Sequence, residues 1–109
     1  MRVFNFKLLK QHLVDIEDQA RSGNVVQIEI HARLLSEDLE GYARPIQPRY
    51  KTGTGSLPPV VINHGSDVCR EMADSIRAAQ REAKSPTVAL RHIMQAIQTF
   101  EASDIYPRA

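Results

Sequence analysis

Histidine side chains, together with neighbouring carboxylates, are the residues of this chain that could do acid/base or metal chemistry, and the histidines are scattered along the sequence. The four histidines, His12, His31, His64 and His92, fall in separate segments. The nearest approach to an acid/base pair is His12 with Asp15, which share a helix face because they lie three residues apart. No histidine has the recurrent spacing of a zinc site. We therefore predict no catalytic residues, no metal and no cofactor.

Two further patterns bear on catalysis and phosphate binding, and both are incomplete. The sequence has no Gly-x-Ser-x-Gly elbow to hold a nucleophile beside a base. Gly53-Thr54-Gly55-Ser56 follows Lys51 in the manner of a phosphate loop, but two prolines come directly afterwards. No Lys-Ser/Thr pair closes that loop, so backbone amides and a lysine would not converge on an anion. We predict that the chain is not an enzyme.

Charge and composition restrict the class of protein further. The chain has 109 residues and a formal net charge of +1, from 14 basic and 13 acidic side chains. This balance gives no overall field that would recruit nucleic acid or an anionic membrane. A single cysteine, Cys69, excludes an internal disulfide, and residues 1–10 lack the continuous apolar region of a secretory signal. We expect one cytoplasmic domain, 1–109, without membrane contact.

Four segments repeat apolar residues three and four positions apart, the spacing that draws one stripe along an amphipathic helix. Asn5 suits the N-cap of the first helix, and Gly23 suits the left-handed position after its end. Gly41 is expected to end the second helix, and Ser85 with Pro86 to begin the fourth. The predicted helices cover about 5–22, 25–40, 66–84 and 86–102.

Residues 25–34 fit two kinds of secondary structure. Val26, Ile28, Ile30, Ala32 and Leu34 alternate with polar residues as in a half-buried strand. A helix fits as well, with apolar residues at three-four spacing from Val25 to Leu39. A strand here would lack a good partner, because the only other β-branched run is very short and follows two prolines. We predict a helix, and an α+β fold with a short strand at 25–34 is the alternative.

Residues 42–63 form a Pro- and Gly-rich insert without an acidic residue, placed between the two helical halves. So long a segment without secondary structure is uncommon in a compact domain unless it is a working loop or lies on a partner. We predict an all-α protein, a small bundle of two helical hairpins joined by this extended insert. We expect a homodimer, because neither hairpin alone buries enough surface.

The third predicted helix raises the possibility of nucleic-acid binding. Its basic residues at helical spacing are Arg70, Arg77, Arg81 and Lys84. Acidic residues interleave with them and make the helix electrically neutral, and Arg70 with Asp74 has the spacing of an ordinary i,i+4 pair. A small nucleic-acid-binding regulator that uses this face and the basic insert is therefore the alternative function.

Surplus apolar side chains favour binding to another protein. The start of the chain carries more of them than one stripe can bury in so small a core, and such a surplus is typical of an interface. The insert carries enough of them to lie along a groove of this protein or of another. The candidate partner-binding residues are Val3, Phe4, Phe6, Leu9, Leu13, Tyr42, Ile46 and Tyr50. We predict a non-catalytic protein that binds and modulates another protein, as an adaptor or as an antagonist (anti-activator) of a transcription regulator.

Overall fold

A computed structural model describes residues 5–43 and 65–107 and shows four α-helices. They are α1 (Phe6–Arg21), α2 (Val25–Ala43), α3 (Ser66–Arg81) and α4 (Pro86–Glu101). Within these two ranges there is no β-strand, so the prediction of an all-α fold is confirmed and the alternative strand at 25–34 is wrong. Residues 44–63 of the predicted insert lie outside the described residues.

The ends of the first hairpin follow the predicted caps. The Oδ1 atom of Asn5 accepts hydrogen bonds from the backbone amides of Lys7 (3.0 Å) and Leu8 (3.1 Å). Gly23 has φ +72°, and the amides of Gly23 and Asn24 donate to carbonyls in the last turn of α1, at 3.2 and 3.1 Å. This Schellman-type ending leaves the side chain of Asn24 free to accept from the amide of Gln27 at the start of α2.

Two predicted helix ends need correction, and one predicted cap lacks its hydrogen bond. Gly41 does not end α2, which continues to Ala43, so Tyr42 belongs to the helix and not to the insert. α3 ends at Arg81, and residues 82–84 form a turn. Ser85 occupies the N-cap position of α4 but its side chain makes no capping hydrogen bond. Pro86 at N1 has no amide to satisfy, which removes part of the need for that cap.

The two hairpins form a single bundle in which neighbouring helices run antiparallel. Phe6 contacts Tyr42, Lys10 lies over the ring of Tyr106, and Arg70 reaches the carbonyl of Ala43. These contacts place the start of α1, the end of α2, the start of α3 and the residues after α4 at the same end of the bundle. The most extensive packing is between α2 and α3, which belong to different hairpins. The hairpins are therefore not separate units.

Small side chains allow α2, α3 and α4 to approach one another closely. The fully buried large residues include Leu9, Leu13, Ile16, Ile28, Leu39, Met72, Ile76, Ile93 and Phe100. Between them lie buried small residues, which are Ala32, Ser36, Cys69, Ala73, Ala79, Ala89 and Ala96. Alternation of large and small side chains lets ridges on one helix enter grooves on the next. Arg77 of α3 forms an ion pair with Glu40 of α2 across this packing.

Alanine substitutions at three glycines test these helix ends. Gly41 lies inside α2 and an added Cβ meets nothing within 4 Å, so Gly41→Ala should stabilise the protein by about 0.5–1 kcal/mol. Gly23 has a left-handed backbone, so Gly23→Ala should destabilise it by about 1 kcal/mol. Gly65 also has a left-handed backbone, and an added Cβ would lie 2.6 Å from Cγ2 of Ile105. Gly65→Ala should therefore lower the free energy of unfolding by more than Gly23→Ala does.

Urea unfolding measured by circular dichroism gives the three free energies under the same conditions. Destabilisation by Gly41→Ala would contradict the continuation of α2 to Ala43. An equal loss at Gly23 and Gly65 would contradict the close packing of Ile105 against the start of α3.

Candidate protein-interaction surfaces

One end of the bundle gathers the aromatic side chains that the structure describes. Phe6 and Tyr42 pack edge to face, with ring centroids 5.4 Å apart and planes at 83°. Phe100 and Tyr106 do the same at 5.0 Å and 74°. Lys10 joins the pairs, because its Nζ atom lies 4.9 Å from the centroid of Tyr106. We call Phe6, Tyr42 and Tyr106, which are half-buried, the aromatic end.

The aromatic end is where the predicted partner-binding sequences attach to the bundle. Phe6 and Tyr42 come together there. Leu9 and Leu13 lie deeper, only 1% and 2% exposed, and so they contribute to the core of the bundle and not to its surface. Val3, Phe4, Ile46 and Tyr50 lie outside the described residues, and a partner-binding role for the set stays a prediction.

A buried thiol lies close to the aromatic end. Cys69 is fully buried, and burial raises its pKa to about 11. Burial also raises the pKa of Tyr42, with a smaller contribution from the nearby Cys69. Because the thiolate is the reactive form, a thiol of such high pKa is a poor nucleophile and a poor metal ligand at neutral pH. Across residues 5–43 and 65–107, no three His, Cys, Asp or Glu side chains come together as metal ligands would.

The outward face of α2 carries a second exposed apolar surface. Val26, Ile30 and Leu34 lie one turn apart and are 62%, 37% and 51% exposed. At 3.6 residues per turn these positions point away from the buried stripe that contains Ile28 and Ala32. We call Val26, Ile30 and Leu34 the α2 ridge. Single exposed apolar residues are common, but three on successive turns form a continuous patch.

Sequence reasoning missed the α2 ridge although its signal was present. The alternation at 25–34 fits either a strand or a helix. The structure shows that it is the sum of two helical stripes on opposite faces, one buried and one exposed. A helix whose apolar residues also follow a period of two must place some of them outward.

Charged and polar side chains border the α2 ridge. Glu29 and Arg33 lie along one side of it, one turn apart, and both are exposed. In the described part of the chain, no acidic group lies within 4.0 Å of the guanidinium of Arg33. On the other side, Nε2 of His31 shares a hydrogen bond of 3.0 Å with Oε1 of Gln27. Arg33 is therefore available for a partner's carboxylate.

An open groove of about 570 Å³ runs beside α4 near the turn between α1 and α2. Its polar lining comes from Arg21, Thr87, Arg91, Gln95 and Gln98. Arg21 is already engaged, since its Nε atom donates to Glu17 at 2.9 Å and its Nη2 contacts Sδ of Met94 at 3.8 Å. The groove has no buried, unpaired polar group that would orient a small ligand.

A comparison of this chain with protein-family models, curated proteins and solved structures found no match. Among residues 5–43 and 65–107, no helix is both long enough and apolar enough to cross a bilayer.

The raised pKa and the burial of Cys69 predict that its thiol reacts slowly in the folded protein. At pH 8 the folded protein should react with a disulfide reagent at least about 100-fold more slowly than the protein unfolded in urea, because both its thiolate fraction and its access are lower. The folded-state pKa is raised, so the rate should keep rising about tenfold per pH unit from pH 8 to 10. Absorbance of the released thiolate measures both rates.

A matched control uses an exposed position on α4. In a Cys69→Ala background, Gln95→Cys should react rapidly, with a rate that levels off above pH about 9. The same plateau for Cys69 in the folded protein would contradict the buried thiol.

Proposed function

We propose that this chain is a non-catalytic protein-binding protein that modulates the activity of another protein, as an adaptor or as an antagonist of a transcription regulator. The observation that carries the proposal is the contact between Phe6 and Tyr42 at the aromatic end. The proposal includes a homodimer and a cytoplasmic location.

This contact supports a single binding surface built from two distant parts of the sequence. Val3 and Phe4 come shortly before Phe6, and Ile46 follows four residues after Tyr42. The two parts of the sequence that carry these apolar residues therefore join the described bundle at one pair of touching rings.

The chemistry of the aromatic end is suited to a protein partner. Aromatic side chains bring a large contact area at a low cost in conformational entropy, and they are enriched at the energetic centres of interfaces. Phe6, Tyr42 and Tyr106 pack against the core and are half-buried, so part of the surface of each residue is accessible. The edge-to-face packing fixes the rings before binding, which reduces the cost of ordering them.

Nucleic-acid binding, the alternative, has less support. Arg77 is paired with Glu40, and Arg70 lies 3.7 Å from Asp67 and 3.4 Å from the carbonyl of Ala43. The partner of Arg70 is thus Asp67 and not Asp74 as the spacing suggested. Two of the basic groups on this face are therefore occupied within the chain, and neutralising a phosphate with either of them would first break an existing interaction.

Site-specific photo-crosslinking in cells tests the proposed function. A photoreactive phenylalanine analogue at Phe6 keeps the aromatic ring and should form an adduct with one different protein, in several-fold higher yield than the same analogue at Arg91. Arg91 is an exposed position on α4, away from the aromatic end. Mass spectrometry identifies the adduct, and mixing the two purified proteins should reproduce it.

Equal yields at Phe6 and Arg91, or an adduct that the purified proteins do not reproduce, would contradict binding at the aromatic end. An adduct of Phe6 with nucleic acid alone would favour the alternative function.

Retention on a heparin column separates the two functions independently. Among the described residues, α3 offers few basic side chains that are not already paired, so we expect weak retention on heparin. The protein should elute at low salt, and its affinity for the column should fall only slightly as the salt concentration rises. Arg81→Gln should change the elution very little, because one exposed charge at most is lost. Strong retention that falls steeply with salt, and that Arg81→Gln reduces, would contradict the preference for a protein partner.

A further inference from the structure

We propose that two copies of this chain associate through the α2 ridge, with their α2 helices antiparallel and a twofold axis passing near Ile30. This inference rests on the homodimer included in the proposed function, and it names the surface that would form it. The surface is distinct from the aromatic end, so one dimer could bind a partner protein at each of two aromatic ends.

The spacing of the α2 ridge is self-complementary. Val26 and Leu34 lie the same number of residues before and after Ile30. A twofold axis at Ile30 therefore brings Val26 of one copy opposite Leu34 of the partner subunit, and Ile30 opposite Ile30 of the partner subunit. An i, i+4 row of this kind is the ridge with which helices commonly interdigitate. The association would cover all three exposed side chains at once.

Charge along the edge of the ridge selects the antiparallel arrangement. With the axis at residue 30, position 33 of one copy lies opposite position 27 of the other copy. Position 29 of the other copy is therefore two residues from the point opposite position 33. At 1.5 Å per residue, Arg33 and Glu29 of the partner subunit are separated by about 3 Å along the helix axis. The twofold axis forms this pair twice.

A parallel arrangement would form no such pair. A twofold axis along the helices would place Arg33 on the side of the interface where Gln27 of the partner subunit and His31 of the partner subunit lie, so neither charge of the edge would meet an opposite charge. Arg33 has no ion-pair partner among the described residues. The charges of this edge thus match those of a second copy in the antiparallel orientation.

Light scattering on the purified full chain, combined with charge reversal at this edge, tests the proposal. The wild-type chain should be dimeric, and Ile30→Asp should be monomeric because a carboxylate would be buried at the axis. Arg33→Glu alone and Glu29→Arg alone should each weaken the dimer about tenfold or more, since each creates two repulsive pairs. Sedimentation at several concentrations gives the dissociation constants.

The decisive measurement mixes the two charge variants. A copy with Arg33→Glu carries glutamate at both edge positions, and a copy with Glu29→Arg carries arginine at both. Their heterodimer has two attractive pairs, so the mixture should associate at least as tightly as the wild-type chain. Within each copy the pair along the helix stays repulsive, and rescue therefore reports only contacts between copies.

Two controls separate association from folding. Glu71→Arg makes the same charge change at an exposed position on α3 and should leave the dimer unchanged. All variants should retain the helical signal of the wild-type chain in circular dichroism, because the exchanged side chains are exposed in the single chain.

A monomeric wild-type chain at hundreds of micromolar would overturn the proposal. So would a dimer that survives Ile30→Asp, or a mixture of the charge variants that associates no better than each alone. Crosslinking from Phe6 examines the other surface, so the partner-binding proposal can stand when this one fails, and the reverse also holds.

Discussion

The packing of α2 against α3 is the interaction on which the rest of the described structure depends. These helices come from different hairpins, so their contact converts two helix pairs into one bundle. Small residues such as Ala32 and Ala73 permit the close approach, and the ion pair between Arg77 and Glu40 spans the two helices. Arg70 adds a charged donor to the carbonyl of Ala43, at the negative end of the α2 dipole.

This packing also determines which helix ends lie together. Because the four helices alternate in direction, the start of α1, the end of α2, the start of α3 and the residues after α4 share one end. The segments on which the sequence places its surplus apolar side chains are attached at that end. Of the residues that the structure describes, the short turns at 22–24 and 82–85 lie at the opposite end. Topology alone therefore brings the points at which these segments join the bundle to one end.

Local chemistry made most of the helices predictable. Asn5, Gly23 and Asn24 act through hydrogen bonds and backbone angles within a few residues, and such effects are readable from the sequence. The end of α2 is not readable in this way, because a glycine does not by itself end a helix. α2 continues through Gly41 to Ala43. The association of Phe6 with Tyr42 was also beyond the sequence, since it depends on the antiparallel course of α1 and α2.

The two faces of α2 explain why this helix looked ambiguous and why it is central. An inward stripe around Ile28 must be apolar to hold the bundle, but no packing among the described residues requires the outward Val26, Ile30 and Leu34 to be apolar as well. Polar residues at these positions would cost no packing and would improve solubility. In a monomer, these exposed apolar side chains carry an unfavourable free energy of hydration. Burial against a matching apolar surface would remove that cost.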